Sequence, residues 1–125
     1  MLIELKNIKP KYMSEVEVSD SDICLQDSVV FEKGKKYLIK ANSGRGKTSI
    51  LNFIYGNNIN FEGQINYNIK LGSNNICNLR KANISYVFQD LKLFQNLTVF
   101  ENIQLKNTIT NNKSLFEIDS LIDQV

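Results

Sequence analysis

The residues best suited to chemistry run from Ala41 to Thr48, Ala41-Asn42-Ser43-Gly44-Arg45-Gly46-Lys47-Thr48, with Ser49 directly after. They match the pattern G-x-x-x-x-G-K-[ST] at every fixed position except the first, where alanine replaces glycine. The spacing has a physical purpose. Gly44 and Gly46 let the backbone fold into a concavity with its amide hydrogens pointing inward, and the positive end of a helix dipole adds to the attraction for anionic oxygens. Lys47 projects toward the β and γ phosphates of a nucleotide, and the Thr48 hydroxyl is placed to ligate Mg²⁺. Ala41 is tolerable if its dihedrals stay in a region open to L-residues, because only one methyl is added where the chain leaves a strand. Asn42, Ser43, Gly44, Arg45, Gly46, Lys47, Thr48 and Ser49 are therefore candidate ATP contacts, Lys47 a candidate catalytic group and Thr48 a candidate metal ligand.

Such a loop needs a strand before it and a helix after it. Lys36 to Lys40 predicts the strand, rich in β-formers, and Lys47 to Tyr55 the helix, with apolar positions 50, 51 and 54 on one face and Gly56 as its stop. Earlier, Leu2 to Ile8 alternates as a half-buried strand ended by Pro10, and Glu15 to Val18 and Ile23 to Phe31 carry further strand-like material. Later, Gly63 to Ile69 predicts a strand, Leu71 to Asn83 an irregular connection, and Ile84 to Phe88 a buried strand ending at Gln89-Asp90. Thr98 with Glu101 forms a capping-box pattern for a helix through about Leu105. Ser114 with Glu117 does the same for a helix to Val125, with Leu115, Ile118, Leu121 and Ile122 on one side.

Composition narrows the chemistry. The chain has 125 residues, a size suited to one compact domain, with 42% hydrophobic and 22% charged residues, as in ordinary globular proteins. It has no histidine, which excludes Ser-His and Cys-His dyads and imidazole metal sites. Cys24 and Cys77 stand far apart and suggest reduced thiols, not a disulfide framework or a zinc site. A net charge of +2 is too mild for the counterion release on which nucleic-acid binding depends, so no nucleic-acid partner is expected. The start, Met1 to Lys9, is not a signal peptide, and no apolar stretch is long enough to span a bilayer. Lys33, Lys35, Lys36 and Lys40 read as solvated strand ends and turns, and Asp119 with Asp123 as a solvated helix face.

The run from Ser85 to Ile103, Ser-Tyr-Val-Phe-Gln-Asp-Leu-Lys-Leu-Phe-Gln-Asn-Leu-Thr-Val-Phe-Glu-Asn-Ile, resembles the Q-loop region of ABC transporter ATP-binding domains. Ile3 to Tyr12 is similar to that family's first strand and A-loop, Glu32-Lys33-Gly34-Lys35 to the turn before its phosphate-loop strand, and Glu62-Gly63-Gln64-Ile65 to the opening of its next strand. The resemblance implies an α/β fold, a partial P-loop NTPase of ABC type with an N-terminal antiparallel β portion. Residues 1–125 would then form the N-terminal portion of the nucleotide-binding domain, truncated before its helical subdomain is complete. It also implies that Tyr12 stacks on adenine, and that Gln89 touches Mg²⁺ or the attacking water and relays nucleotide state. ATP and Mg²⁺ are the implied cofactors. The implied partners are a transmembrane permease subunit and a second nucleotide-binding domain, in a homodimer, at the cytoplasmic face of a membrane.

The family's later elements are a Ser-Gly-Gly signature, an apolar strand ending in a metal aspartate beside a catalytic glutamate, and a switch histidine. They are not in this sequence, so the expectation is nucleotide binding with negligible turnover by these residues alone. The isolated chain is also expected to self-associate through open sheet edges. Other readings are a soluble ABC-superfamily ATPase acting on nucleic acid or ribosomes, a non-ABC phosphate-loop protein such as a small-molecule kinase or a GTPase, and an inactive truncated product. Asn112-Lys113-Ser114-Leu115 partly fits the guanine motif N-K-x-D but lacks its aspartate.

Overall fold

The computed structural model describes residues 2–42, 44–68, 76–110 and 113–123, with only the backbone described at Leu115 and Phe116. The chain divides into two compact units, Met1–Ile76 and Cys77–Val125. The first is built on a three-stranded antiparallel sheet of order β2-β1-β3, with β1 Ile3–Pro10, β2 Ser28–Phe31 and β3 Phe61–Tyr67. Leu5 faces Val29 on one side and Ile65 on the other. The β1–β3 register shifts between Lys6 and Lys9, where Asn7 takes a left-handed φ of 49°. This bulge explains why Leu5 and Ile8, three residues apart, are both buried, although strict alternation would send them to opposite faces.

Between β1 and β2 lie two short helices, α1 Glu15–Ser19 and α2 Asp22–Leu25. The expected strand character at Glu15 to Val18 is corrected here: Ser14 and Glu17 form a capping box, and that local hydrogen bonding outweighs the β-preference of Val16 and Val18. Only Ser28–Phe31 of the expected stretch from Ile23 is a strand. Helix α3, Lys47–Tyr55, follows the phosphate-loop pattern and ends at Gly56 in the left-handed region. Its buried residues are Ile50 and Phe53, with Ile54 half-buried, whereas Leu51 is 41% exposed. The inward face is therefore i, i+3, i+4 from Ile50, and Leu51 stands about 100° off its centre. Leu5, Ile8, Ile50 and Phe53 form the core, flanked by Phe31, Ile39, Phe61 and Ile65 among others. The Phe53 and Phe61 rings lie 4.8 Å apart, and burying Phe53 contributes about 1.5–3 kcal/mol.

The expected strand at Lys36 to Lys40 forms no ladder. Among the described residues no segment offers it a hydrogen-bonding neighbour, and a strand without a partner is only a stretch of loop. It is nevertheless pinned, because Ile39 packs on the core and Tyr37 meets Phe31 edge-on at 5.0 Å while its hydroxyl accepts from the Glu32 amide at 2.8 Å. The P-loop NTPase expectation is thus realised here as an antiparallel sheet plus a loop-to-helix unit. Ile69 and the start of the expected irregular connection, 71–75, lie outside the described residues.

The second unit holds α4 Ile76–Ala82 from Cys77 onward, with α5 Val99–Thr110 and α6 Leu115–Ile122. Helix α4 replaces the later part of the expected irregular connection, and Ile84 to Phe88 is loop, again for want of a ladder partner among the described residues. The Tyr86 and Phe88 rings lie 4.5 Å apart within it. Both predicted helices are present. Thr98 and Glu101 close a reciprocal cap on α5, with the Thr98 amide donating to Glu101 at 2.7 Å, and Ser114 and Glu117 do so on α6. Helix α5 runs on past Leu105 to Thr110. Leu79 and Ile118 are buried, whereas Leu121 is 47% exposed, so the predicted apolar side of α6 is only partly covered; residues 124 and 125 lie outside the described residues.

Candidate functional site

Ile39 holds the incoming chain to the core, so the loop that follows starts from a fixed point. Gly44 and Gly46 adopt φ of 79° and 82°, a left-handed region in which an L side chain is strained. The Arg45 amide donates to the Asn42 carbonyl at 3.3 Å, drawing the loop into a turn, and the Ile50 amide donates to Gly46 at 3.0 Å to start α3. Gly46 is the N-cap and offers no side-chain cap, and the first turn of α3 contains no acid. A helix start without a side-chain cap or an acid in its first turn has the electrostatics that favour an anion. Lys47 is folded back on the loop, its Nζ donating to the carbonyls of Ala41 and Asn42, the latter at 2.8 Å. Thr48 is exposed and Ser49 half-buried, while Ser43 lies outside the described residues.

The turn after β1 lies against this loop. The Met13 amide donates to Pro10 and the Lys11 amide to Asn60, each at 3.1 Å. A Cβ built at Gly46 would stand 2.9 Å from the Met13 methyl and 3.7 Å from the Tyr12 hydroxyl. Glycine at 46 thus answers two demands, the left-handed backbone and the closeness of the turn. Tyr12 is 51% exposed, a half-open ring at the edge of the loop. Just beyond, the Glu17 carboxylate accepts from the Ser14 amide at 2.9 Å and the Ser14 hydroxyl at 3.0 Å. These two bonds, and more weakly the Arg45 charge, hold it below the usual carboxylate range. Met13 and Glu17 were not singled out from sequence, though the Ser14-x-x-Glu17 pattern was there to be read.

Gln89 belongs to the second unit, where it is exposed at the start of a turn. Leu91 and Lys92 follow with left-handed φ of 56° and 52°, costly for residues with side chains. The turn is tied by the Leu91 amide to Phe88, the Lys92 amide to Asp90, and an ion pair between the Lys92 and Asp90 side chains. Asn102 then stitches the loop to α5, donating to the carbonyls of Phe94, Leu97 and Thr98 and accepting from the Phe94 amide at 2.9 Å. No periodicity marks this asparagine; only its place in the Ser85–Ile103 run does.

Cys24 is buried and Cys77 exposed. Among the described residues there is no group of three or more His, Cys, Asp or Glu placed to hold a metal, and no helix long and apolar enough to cross a membrane. Asn112 of the partial guanine motif lies outside the described residues. No solved structure matches the chain. A family model described as ABC transporter matches residues 25–125, which takes in the phosphate loop, the Gln89 run and the capped helices α5 and α6 but not Tyr12. That match spans well over half of the sequence, and the chain belongs to the ABC transporter family of ATP-binding proteins.

Proposed function

We propose that this chain binds ATP with Mg²⁺ at the loop from Ala41 to Ser49 and serves as an ATP-binding subunit that drives a separate transmembrane permease. The observation that carries the reading is the loop itself. Two left-handed glycines flank Arg45, an acid-free helix start follows, and an ammonium turns inward beside it. The amides at the start of α3 donate to phosphate oxygens, and Lys47 exchanges its bonds to the Ala41 and Asn42 carbonyls for bonds to phosphate oxygen. Because the Lys47 ammonium already donates to carbonyls, its net gain on binding is the difference between a cation–carbonyl bond and a cation–anion pair. Thr48, exposed at the second position of α3, and Gln89 are the proposed oxygen donors to Mg²⁺, a hard cation suited to hydroxyl and amide oxygens. When bound, the metal neutralises phosphate charge. Ser43 and Ser49 add hydroxyl contacts. Tyr12 offers its ring to adenine, a reading supported by the nearness of its hydroxyl to Gly46.

A second copy of the domain and the permease are the proposed partners, at the cytoplasmic face of a membrane. In this reading Gln89, in a turn braced by Asn102, passes the state of the nucleotide to the permease. Titration calorimetry with Mg²⁺ tests the binding site. Lys47→Ala removes a charged donor worth roughly 1.5–3 kcal/mol, so ATP affinity is expected to fall about ten- to a hundred-fold. Unchanged affinity removes Lys47 from the site. Tyr12→Ala is expected to weaken ATP and ADP while leaving pyrophosphate as it was, and equal losses for nucleotide and pyrophosphate would refute stacking.

A further inference from the structure

The two left-handed glycines of the phosphate loop differ in what surrounds them. Among the described residues nothing stands within 4 Å of the place a Cβ of Gly44 would take. At Gly46 the same place has the Met13 methyl 2.9 Å away and the Tyr12 hydroxyl 3.7 Å away. Glycines in a loop of this pattern leave out a side chain so that a ligand can come close to the backbone. The room spared at Gly46 is therefore room for ligand, and in the free protein a thioether methyl is parked against it.

The turn that carries Met13 is pinned on both sides. The Met13 amide donates to the Pro10 carbonyl and the Lys11 amide to the Asn60 carbonyl, each at 3.1 Å, and Ser14 caps α1 directly after. The side chain can move while this backbone stays, because methionine is unbranched, with three rotatable bonds, and Met13 is only half-buried. Lys47 is folded onto the same loop, its ammonium donating to the Ala41 and Asn42 carbonyls. Two of the chain's own side chains, one charged and one apolar, thus close the free loop.

We propose, on the phosphate-loop reading above, that Met13 is an autoinhibitory latch: its methyl covers Gly46 in the free protein and must swing off before a polyphosphate can lie against the backbone there. Lys47 exchanges carbonyl oxygen for phosphate oxygen when the ligand enters. Met13 gains nothing from an anion, so its displacement lowers the affinity for every phosphate ligand by the fraction of molecules in which the latch stands open.

Calorimetry of the full chain with Mg²⁺ and inorganic tripolyphosphate reads the latch without offering Tyr12 a base. Met13→Ala is expected to tighten tripolyphosphate about two- to five-fold, what covering one methyl group is worth. Met13→Ser, equally short, should do the same, and circular dichroism checks that both keep the wild-type fold. The unaltered protein supplies a second readout. Hydrogen peroxide transfers one oxygen to a methionine sulfur, forming the S–O bond and leaving water, and peptide mass spectrometry follows the sulfoxide at Met13 against Met1, the other methionine of the chain. Saturating tripolyphosphate is expected to speed oxidation of Met13 about two-fold or more, because the side chain is driven off Gly46 into solvent. Weakened or unchanged binding in both variants, or oxidation that the ligand slows or leaves as it was, would overturn the proposal, since a methyl that braces the loop from behind behaves in that way. Lys47→Ala separates the two readings. If it binds tripolyphosphate like the wild type, the phosphate loop itself is misread; if it loses binding while Met13→Ala brings no gain, only the latch falls.

Discussion

A methyl group added at Gly63 would stand 2.3 Å from the carbonyl oxygens of both Lys6 and Asn7, closer than any real contact, in a residue whose φ is already 96°. Gly34 shares a left-handed φ of 79° but has open space where its Cβ would be. Alanine at 34 should therefore cost only the left-handed penalty, about 1–2 kcal/mol, while alanine at 63 adds a clash with backbone that cannot move aside, roughly 1–3 kcal/mol more. Thermal unfolding of the two variants checks the ranking: Gly63→Ala should melt well below Gly34→Ala, and equal melting temperatures would show that the bulge opposite Gly63 is soft. At this scale the sequence was legible where a pattern names the residue, as at Gly44, Gly46 and Lys47. It was silent about Met13, because the importance of that residue comes from a turn that places it on Gly46, some thirty positions on.

The helices are set by local hydrogen bonds that a reader of the sequence can find. Ser14–Glu17, Thr98–Glu101 and Ser114–Glu117 all close capping boxes, and two of the three were predicted. The strands at 36–40 and 84–88 failed for the opposite reason: a strand is a property of two segments, and β-forming composition cannot supply the second. The caps carry a pH dependence. In each, hydrogen bonds from the capping residue's backbone and then its hydroxyl hold the glutamate below its ordinary 4.5. Stabilisation is therefore complete above that value and is lost as pH falls through the lower folded-state values. Helical circular dichroism should decline on acidification below about pH 4.5. A Glu101→Gln, Glu117→Gln variant should show a shallower decline, because glutamine completes the box without titrating. An unaltered acid profile would mean that other carboxylates, Glu4 with its Asn66 and Ser28 hydrogen bonds among them, control the loss.

Considered as a whole, the molecule presents surfaces that invite company. In the order β2-β1-β3 both outer strands have one side without a ladder partner among the described residues, and Leu38, Ile59 and Val87 are each about four-fifths exposed. Open edges and exposed apolar side chains both template association, so the isolated chain should show concentration-dependent self-association by sedimentation velocity. Val30→Lys places a charge on the β2 edge opposite Glu4, its partner in the ladder, and should shift the distribution toward monomer. A single monomeric boundary at all concentrations would count against sticky edges. The family was legible at this scale because its long runs survive in order; the packing was not, since it depends on which segments meet. The extra residue in β1 has one last effect. Asn7 acts as a phase shifter in a wave of period two: upstream of it odd positions face inward, downstream even ones do. Deleting that one residue would leave the composition almost untouched and restore plain alternation, with Ile8 and Pro10 still facing inward, but it would take out the local bend and added twist that the bulge puts into the strand leading to Tyr12.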